Sequence, residues 1–258
     1  MKGLININGD WREGRGIHLE SINPMSNEII WQGRTASVED VNDAMSAAEE
    51  AFIEWSATPI EERLKILLRY KDLLGENKDL IADEIMQETG KVLWDCESEA
   101  SVMQAKVEGS IKAYYERTAS LEAELTAGLY RQVRHRAHGV CAIFGPFNFP
   151  GHLPNGHIIP ALIAGNSILF KPSELTPLVG ARLVSLLYEA GLPKGVIQFL
   201  PGATGTAKAI ARQKNLRALF FTGSAKTGKI LHKQFAGHPE KLLALEMGGN
   251  NPLIVWDD

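Results

Sequence analysis

Apolar and polar positions divide the chain into two regimes. Up to about residue 117 the apolar positions recur mostly at helical spacing; beyond about residue 138 they gather into short continuous runs. In the first regime Asn8-Gly9-Asp10 lies between Leu4-Ile5-Ile7 and Trp11, the composition of a tight turn joining two strands. Ser37, with Asp40 three residues on, reads as a helix start, and Val41, Ala44, Met45, Ala48 and Phe52 share one face of the helix that follows. Thr58 as cap and Pro59 at the first helical position predict a second helix with Leu64, Leu67 and Leu68 inward. A third runs from about Asn77 to Gly90 and a fourth from about Asp95 to Arg117. Leu129 to His138 is strand-like and cationic. Its Arg131, Arg134, His135, Arg136 and His138 suit either an anion or an ordinary solvated edge.

In the second regime five apolar runs, 140–144, 167–170, 196–200, 218–221 and 242–245, are separated by helical patterns. This is βαβ alternation, and runs apolar at every position belong to strands covered on both faces. The expected fold class is α/β, an open parallel sheet with helices on both faces, preceded by a helical segment and a β-hairpin arm. Ligands of such sheets sit at the carboxyl ends of the strands, so candidate chemistry is sought where each run stops.

Composition narrows the function classes. The chain has 258 residues, 45% hydrophobic and 22% charged, enough for a sizeable core. Twenty-seven Lys and Arg against thirty-one Asp and Glu leave a net charge of −4, so no basic field points to nucleic acid or an anionic membrane. No apolar run approaches the roughly 18 residues of a membrane span, and the N-terminal apolar stretch is too short for a signal peptide. Cys96 and Cys141 have neither zinc-site spacing nor disulfide-scaffold density, so the reading is a soluble protein of a reducing cytoplasm, with no metal.

The first run ends in Phe144-Gly145-Pro146-Phe147-Asn148-Phe149-Pro150, a stiff turn whose Asn148 amide suits an oxyanion or merely completes the turn. The second ends in Lys171-Pro172-Ser173-Glu174. A carboxylate here would accept adenosine-ribose hydroxyls and repel a 2′-phosphate, favouring NAD over NADP, unless the turn is only a surface loop. The fourth opens a helix at Thr222-Gly223-Ser224-Ala225-Lys226-Thr227-Gly228-Lys229, where free N–H groups suit a phosphate. Gly223 to Lys229 also matches the start of a P-loop, with Ile254-Val255-Trp256-Asp257 resembling its metal-holding strand. That match fails at Ile230, where a hydroxyl is needed for the metal, which leaves a phosphohydrolase as the lesser alternative. The fifth run ends in Glu246-Met247-Gly248-Gly249. Its Glu is placed for general base work, or is simply held by backbone N–H groups, and Gly248 allows a cofactor to approach the chain.

Taken in order, Gly145-Pro146-Phe147-Asn148-Phe149-Pro150, Pro160-Ala161-Leu162, Ala164-Gly165-Asn166, Lys171-Pro172-Ser173-Glu174, Phe221-Thr222-Gly223-Ser224 and Glu246-Met247-Gly248-Gly249 resemble the aldehyde dehydrogenase superfamily along the whole chain. The stretches 134–140, 151–157 and 244–252 look like the bacterial succinylglutamate semialdehyde dehydrogenases of arginine breakdown. The resemblance implies a Rossmann-like sheet and oxidation of an aldehyde, N-succinylglutamate 5-semialdehyde, to the acid. It maps Asn148 to the oxyanion donor and Glu246 to the general base. Lys171 and Glu174, with Ser173 between them, map to ribose contacts. Ser224 with Gly223 and residues 225–228 maps to the pyrophosphate loop, and Phe144, Gly145, Pro146 and Gly248 to other cofactor contacts. It divides the chain into a hairpin and helical part over 1–117, an oligomerisation-type arm over 118–138 and a Rossmann-like NAD-binding core over 139–258.

The same family uses a Cys nucleophile in a Gly-Gln-x-Cys setting downstream of the Glu, and this sequence stops twelve residues after Glu246. Apolar surroundings at Cys141 and acidic neighbours at Cys96 disfavour a thiolate at either. The expectation is therefore the cofactor-binding half of a dehydrogenase, inactive alone, self-associating or associating with the missing catalytic half; a noncatalytic NAD-binding module is the alternative.

Overall fold

In the computed structural model residues 3–119 and 121–256 are described. β1 (Ile5–Ile7) and β2 (Asp10–Arg12) form the expected hairpin, and Asn8 and Gly9, at φ of 55° and 80°, supply the two positive-φ positions that a right-twisted two-residue turn requires. A second hairpin, β3 (His18–Ile22) and β4 (Ile29–Arg34), was not signalled by the pattern. Only Ser21 and Trp31 of it are buried, too few to mark an alternation.

α1 (Val38–Ala57) opens on a full capping box: the Asp40 N–H donates to Ser37 Oγ at 3.1 Å and the Ser37 N–H to Asp40 Oδ2 at 2.9 Å. Phe52 is only half-buried, and Trp55 fills the inner position of that turn. α2 (Ile60–Glu76) departs from expectation at both its start and its inner face. Thr58 closes α1 by donating to the Glu54 carbonyl, Pro59 stands at the N-cap, and Leu68 is exposed while Leu67, Tyr70, Leu73 and Leu74 are buried. The helix packs on α4 (Leu93–Arg117), α5 (His152–Ile163) and α6 (Pro177–Glu189), which rotates its buried stripe away from Leu68. α3 (Lys78–Thr89) stops at Gly90, left-handed at φ 71°, and α4 (Leu93–Arg117) follows. β5 (Leu121–Thr126) and β6 (Leu129–Val133) make a separate two-stranded ribbon; β6 is exposed throughout, and the cationic residues from Arg134 to His138 lie beyond it.

The five apolar runs become β7 (Val140–Phe144), β8 (Ser167–Lys171), β9 (Ile197–Phe199), β10 (Ala218–Gly223) and β11 (Leu242–Met247), all parallel. The sheet order is β11-β10-β7-β8-β9-β1-β2, with β1 and β2 added antiparallel at one edge. Helices α5 (His152–Ile163), α6 (Pro177–Glu189), α7 (Thr204–Ala211) and α8 (Ala225–Phe235) connect the strands. The pleat sends Ile143, Ile168, Phe170, Ile197 and Phe199 into one core with residues of α2 to α6, and Ala142, Phe144, Leu169, Leu219 and Phe221 into another with α1, α7 and α8. Each such large side chain contributes roughly 1.5–3 kcal/mol by leaving water. The order reverses between β7 and β10, which opens a crevice at their carboxyl ends. No described helix is long and apolar enough to cross a membrane.

Residues 250–256 form no strand, and Leu253, Ile254, Val255 and Trp256 are 78–88% exposed. The strand sought there as a P-loop partner is absent, and Asp257 lies outside the described residues.

Candidate active site

The crevice is a cleft of about 820 Å3 walled by all the strand ends that face it. Phe144, Gly145, Pro146 and Asn148 come from the turn after β7, and Lys171, Ser173 and Glu174 from the loop after β8. Gly223, Ser224 and Thr227 come from the start of α8, and Glu246 and Gly248 from the end of β11. Ala225, Lys226 and Gly228 do not line it. Gly228 is buried where an added Cβ would stand 2.4 Å from Met247 Sδ, so that glycine serves the packing of α8 on β11.

The two sides of the cleft differ in how firmly they are held. Lys171 is buried, and its Nζ donates to the Pro172 and Gly202 carbonyls at 2.6 and 2.7 Å. Burial lowers its pKa to about 8, against the opposing effect of Glu174, whose carboxylate lies 3.7 Å away and is half-exposed. Ser224 caps α8, its Oγ accepting from the Thr227 N–H at 3.2 Å. Asn148 and Glu246 are both solvent-accessible at the lip. Glu246 pairs in register with Thr222, on the strand face to which Phe220 also points.

Helices contribute residues that the strand-end search missed: Lys106 of α4, His157 of α5 and Thr204 of α7. The His157 ring stacks on Phe220 at 5.3 Å between centroids. Burial lowers its pKa, Glu246 opposes that, and Lys106 reinforces it. The available signal was a polar side chain on the helix that leaves the 145–150 turn, since that helix packs on β7 and β8 beside the switch point.

Two helix N-termini near the cleft are filled by the protein's own acids. Glu99 of α4, buried and 3.0 Å from Lys91 Nζ, accepts the N–H groups of Gly151 and His152 at 3.0 and 3.1 Å. Lys91 in turn lies over the Phe149 ring at 3.8 Å, bracing the turn that carries Asn148. Glu88 of α3 accepts from the Leu178 and Val179 N–H groups at the start of α6.

Neither cysteine reaches the cleft. Cys141 is enclosed in β7, where burial pushes its thiol up to about 12, and Cys96 is enclosed in α4, its thiol raised by burial against the pull of Lys91. α8 begins at Ala225, so most of the Gly223–Lys229 stretch is helix rather than a phosphate-wrapping loop, and Ile230 is 55% exposed on it.

The crevice at the switch point is thus bounded by a capped helix start, an acid in the loop after β8 and an acid near the end of β11, at the place where ligands of open parallel sheets sit. The profile of the Aldehyde dehydrogenase family matches residues 11–258, and the chain belongs to that family. It is 50% identical over 249 residues to the N-succinylglutamate 5-semialdehyde dehydrogenase of Paraburkholderia xenovorans (strain LB400), an alignment covering 96% of this chain and 51% of that one. Among solved structures it resembles the NADP-dependent glyceraldehyde-3-phosphate dehydrogenase of Bacillus halodurans C-125 complexed with NADP (TM-score 0.91, 30% identity, 100% of this chain and 55% of that one). It also resembles the NAD-dependent benzaldehyde dehydrogenase of Corynebacterium glutamicum (TM-score 0.89, 31% identity, 96% and 55%). The chain thus spans about half the length of the relatives it matches.

Proposed function

We propose that this chain is the cofactor-binding portion of an NAD-dependent aldehyde dehydrogenase, with N-succinylglutamate 5-semialdehyde as substrate. The observation that carries the reading is the convergence, in one cleft at the switch point of the sheet, of Glu174, the Ser224-capped helix, Asn148 and Glu246. The residues present fit a nicotinamide dinucleotide. The cleft lies within the roughly 300–1,000 Å3 usual for small ligands, its apolar walls include Phe144 and Phe221, and its helix start is suited to a diphosphate.

In this reading Glu174 accepts the adenosine-ribose hydroxyls and Lys171 holds the loop beside them, while Ser224 and the α8 start receive the diphosphate. When bound, the cofactor supplies a hydride acceptor. Asn148 donates its amide N–H to the oxygen that gains charge as the aldehyde carbon is attacked, and Glu246 takes a proton from the water that releases the acid. The attacking thiol comes from outside these residues, because both cysteines here are enclosed away from the cleft. The chain alone is therefore inactive, in a reducing cytoplasm its partner is a small-molecule aldehyde, and its exposed apolar segments associate with each other or with the thiol-bearing portion.

Cofactor titration and an NADH-formation assay test this. NAD binds the chain more tightly than NADP, Glu174→Gln narrows that preference, and N-succinylglutamate 5-semialdehyde gives no NADH with the chain alone. Equal preference before and after the substitution overturns the ribose assignment. Turnover at ordinary enzyme rates overturns the placement of the nucleophile outside the chain.

A further inference from the structure

The loop over 171–176 carries Glu174, and its two ends are held by different parts of the molecule. At the sheet end the Gly145 N–H donates to the Lys171 carbonyl at 2.9 Å, and Lys171 itself is tied to Pro172 and Gly202. The other end is held by the N-terminal segment. Ser21 of β3, 1% exposed, donates its hydroxyl to the Leu175 carbonyl at 2.8 Å across 154 positions of sequence. Glu88, at the end of α3, accepts the Leu178 and Val179 N–H groups at 2.7 and 2.9 Å, and its carboxyl lies 3.4 Å from the Ser21 hydroxyl. Between these anchors the Leu175 N–H, which belongs to the peptide unit directly after Glu174, donates to Ser173 Oγ at 3.2 Å.

Both peptide units flanking Leu175 are therefore pinned, the one before it by Ser173 Oγ and the one after it by the Ser21 hydroxyl together with the Thr176 N–H, which donates to the Ser173 carbonyl at 3.2 Å. Among the described residues, the Glu174 carboxylate has its 3.7 Å approach to Lys171 as its one orienting side-chain contact. The direction in which an exposed, singly contacted side chain points is set chiefly by its backbone, so what fixes the Leu175 peptides aims Glu174. Neither Ser21 nor Glu88 lines the cleft.

We propose that Ser21 and Glu88 are positioning residues for Glu174, and that this clamp, reaching from Ser21 to Leu175 across 154 positions, sets how well the site separates NAD from NADP. The proposal rests on the reading of Glu174 as the ribose contact. Ser21→Ala removes the hydroxyl with its contacts to the Leu175 carbonyl and the Glu88 carboxyl, and leaves in place the Leu178 and Val179 N–H groups that Glu88 accepts, so it isolates the clamp.

Calorimetric titration with NAD and NADP, alongside thermal denaturation, is carried out on the unmodified chain, Ser21→Ala, Ser21→Thr and Glu174→Gln. The expected result is that Ser21→Ala weakens NAD about three- to tenfold, the worth of one buried hydrogen bond. NADP changes by less than about twofold, so the NAD:NADP ratio narrows, and Ser21→Thr, which keeps the hydroxyl, restores it. An unchanged ratio in Ser21→Ala, with or without a lower melting temperature, while Glu174→Gln narrows it, overturns the clamp and leaves the ribose reading intact. An unchanged ratio in Glu174→Gln overturns both.

Discussion

At the scale of single residues, Glu88 carries a cost that grows with pH. Burial raises its carboxyl to about 8 from an ordinary 4.5, against the opposing help of the Val179 and Leu178 N–H groups. Glu84, on the same helix, adds to the rise, although its own carboxylate is bound at 2.7 Å by Arg182 of α6. Below the ordinary carboxylate range both folded and unfolded chains hold this proton. Between there and about 8 the unfolded chain releases it first, so stability falls as pH rises through that window. Glu88→Gln removes the titration and should take away a fall of about 1.4 kcal/mol for each pH unit inside that window; equal slopes in denaturant midpoints from pH 5 to 8.5 would show that Glu88 is ionised throughout. Residue identity was legible at strand ends, where Asn148, Lys171, Glu174, Ser224 and Glu246 each follow an apolar run. It was not legible at Lys106 or His157, which reach the cleft because α5 packs on β7 and β8, and α4 on α5, in a particular rotation.

At the scale of elements, the turn between β7 and α5 leaves no room for a side chain at its first position. A Cβ on Gly145 would lie 2.8 Å from Cγ of Pro154, a rigid ring on the inner face of α5. Gly145→Ala should therefore push α5 from β7 and shift the turn that bears Asn148, at a cost of about 1–3 kcal/mol. Urea denaturation measures the stability loss, and weaker NAD binding in the same variant reports the shift; an unperturbed midpoint would mean that α5 yields freely. α1 offers a second check, because Ser37→Ala removes the cap hydroxyl that accepts from Asp40, and about 1 kcal/mol of stability should go with it. Local rules made this cap readable, since a Ser with an acid three residues on makes its hydrogen bonds within one turn. They misplaced the boundary between α1 and α2, where Thr58 could serve the end of one helix or the start of the next and local chemistry favours neither.

At the scale of the whole molecule, exposed apolar side chains recur along the chain, from Ile17 and Met25 to the Val92-Leu93-Trp94 run, and two further groups bear on association. One is the ribbon of β5 and β6, with Leu125, Leu129, Tyr130 and Val133 exposed, and the other is the segment from Leu253 to Trp256. Such surface should drive association, so sedimentation of the chain should depend on concentration, and replacing Leu253, Ile254 and Val255 with Ser should lower the apparent mass; a single monomeric boundary at all concentrations would contradict this. The alternation of runs and helices made the parallel sheet readable, but not its two antiparallel edge strands. Nothing near β1 marks β9 as its neighbour, because that pairing is settled by the packing of α1 against the assembled sheet. The edge has a consequence for how the protein comes into being. Asn8 donates its N–H to Gln198 Oε1 across 190 residues, and an isolated hairpin is at best marginally stable in water. During synthesis this hairpin therefore emerges long before the strand that receives it, and its residues are among the last to find their place.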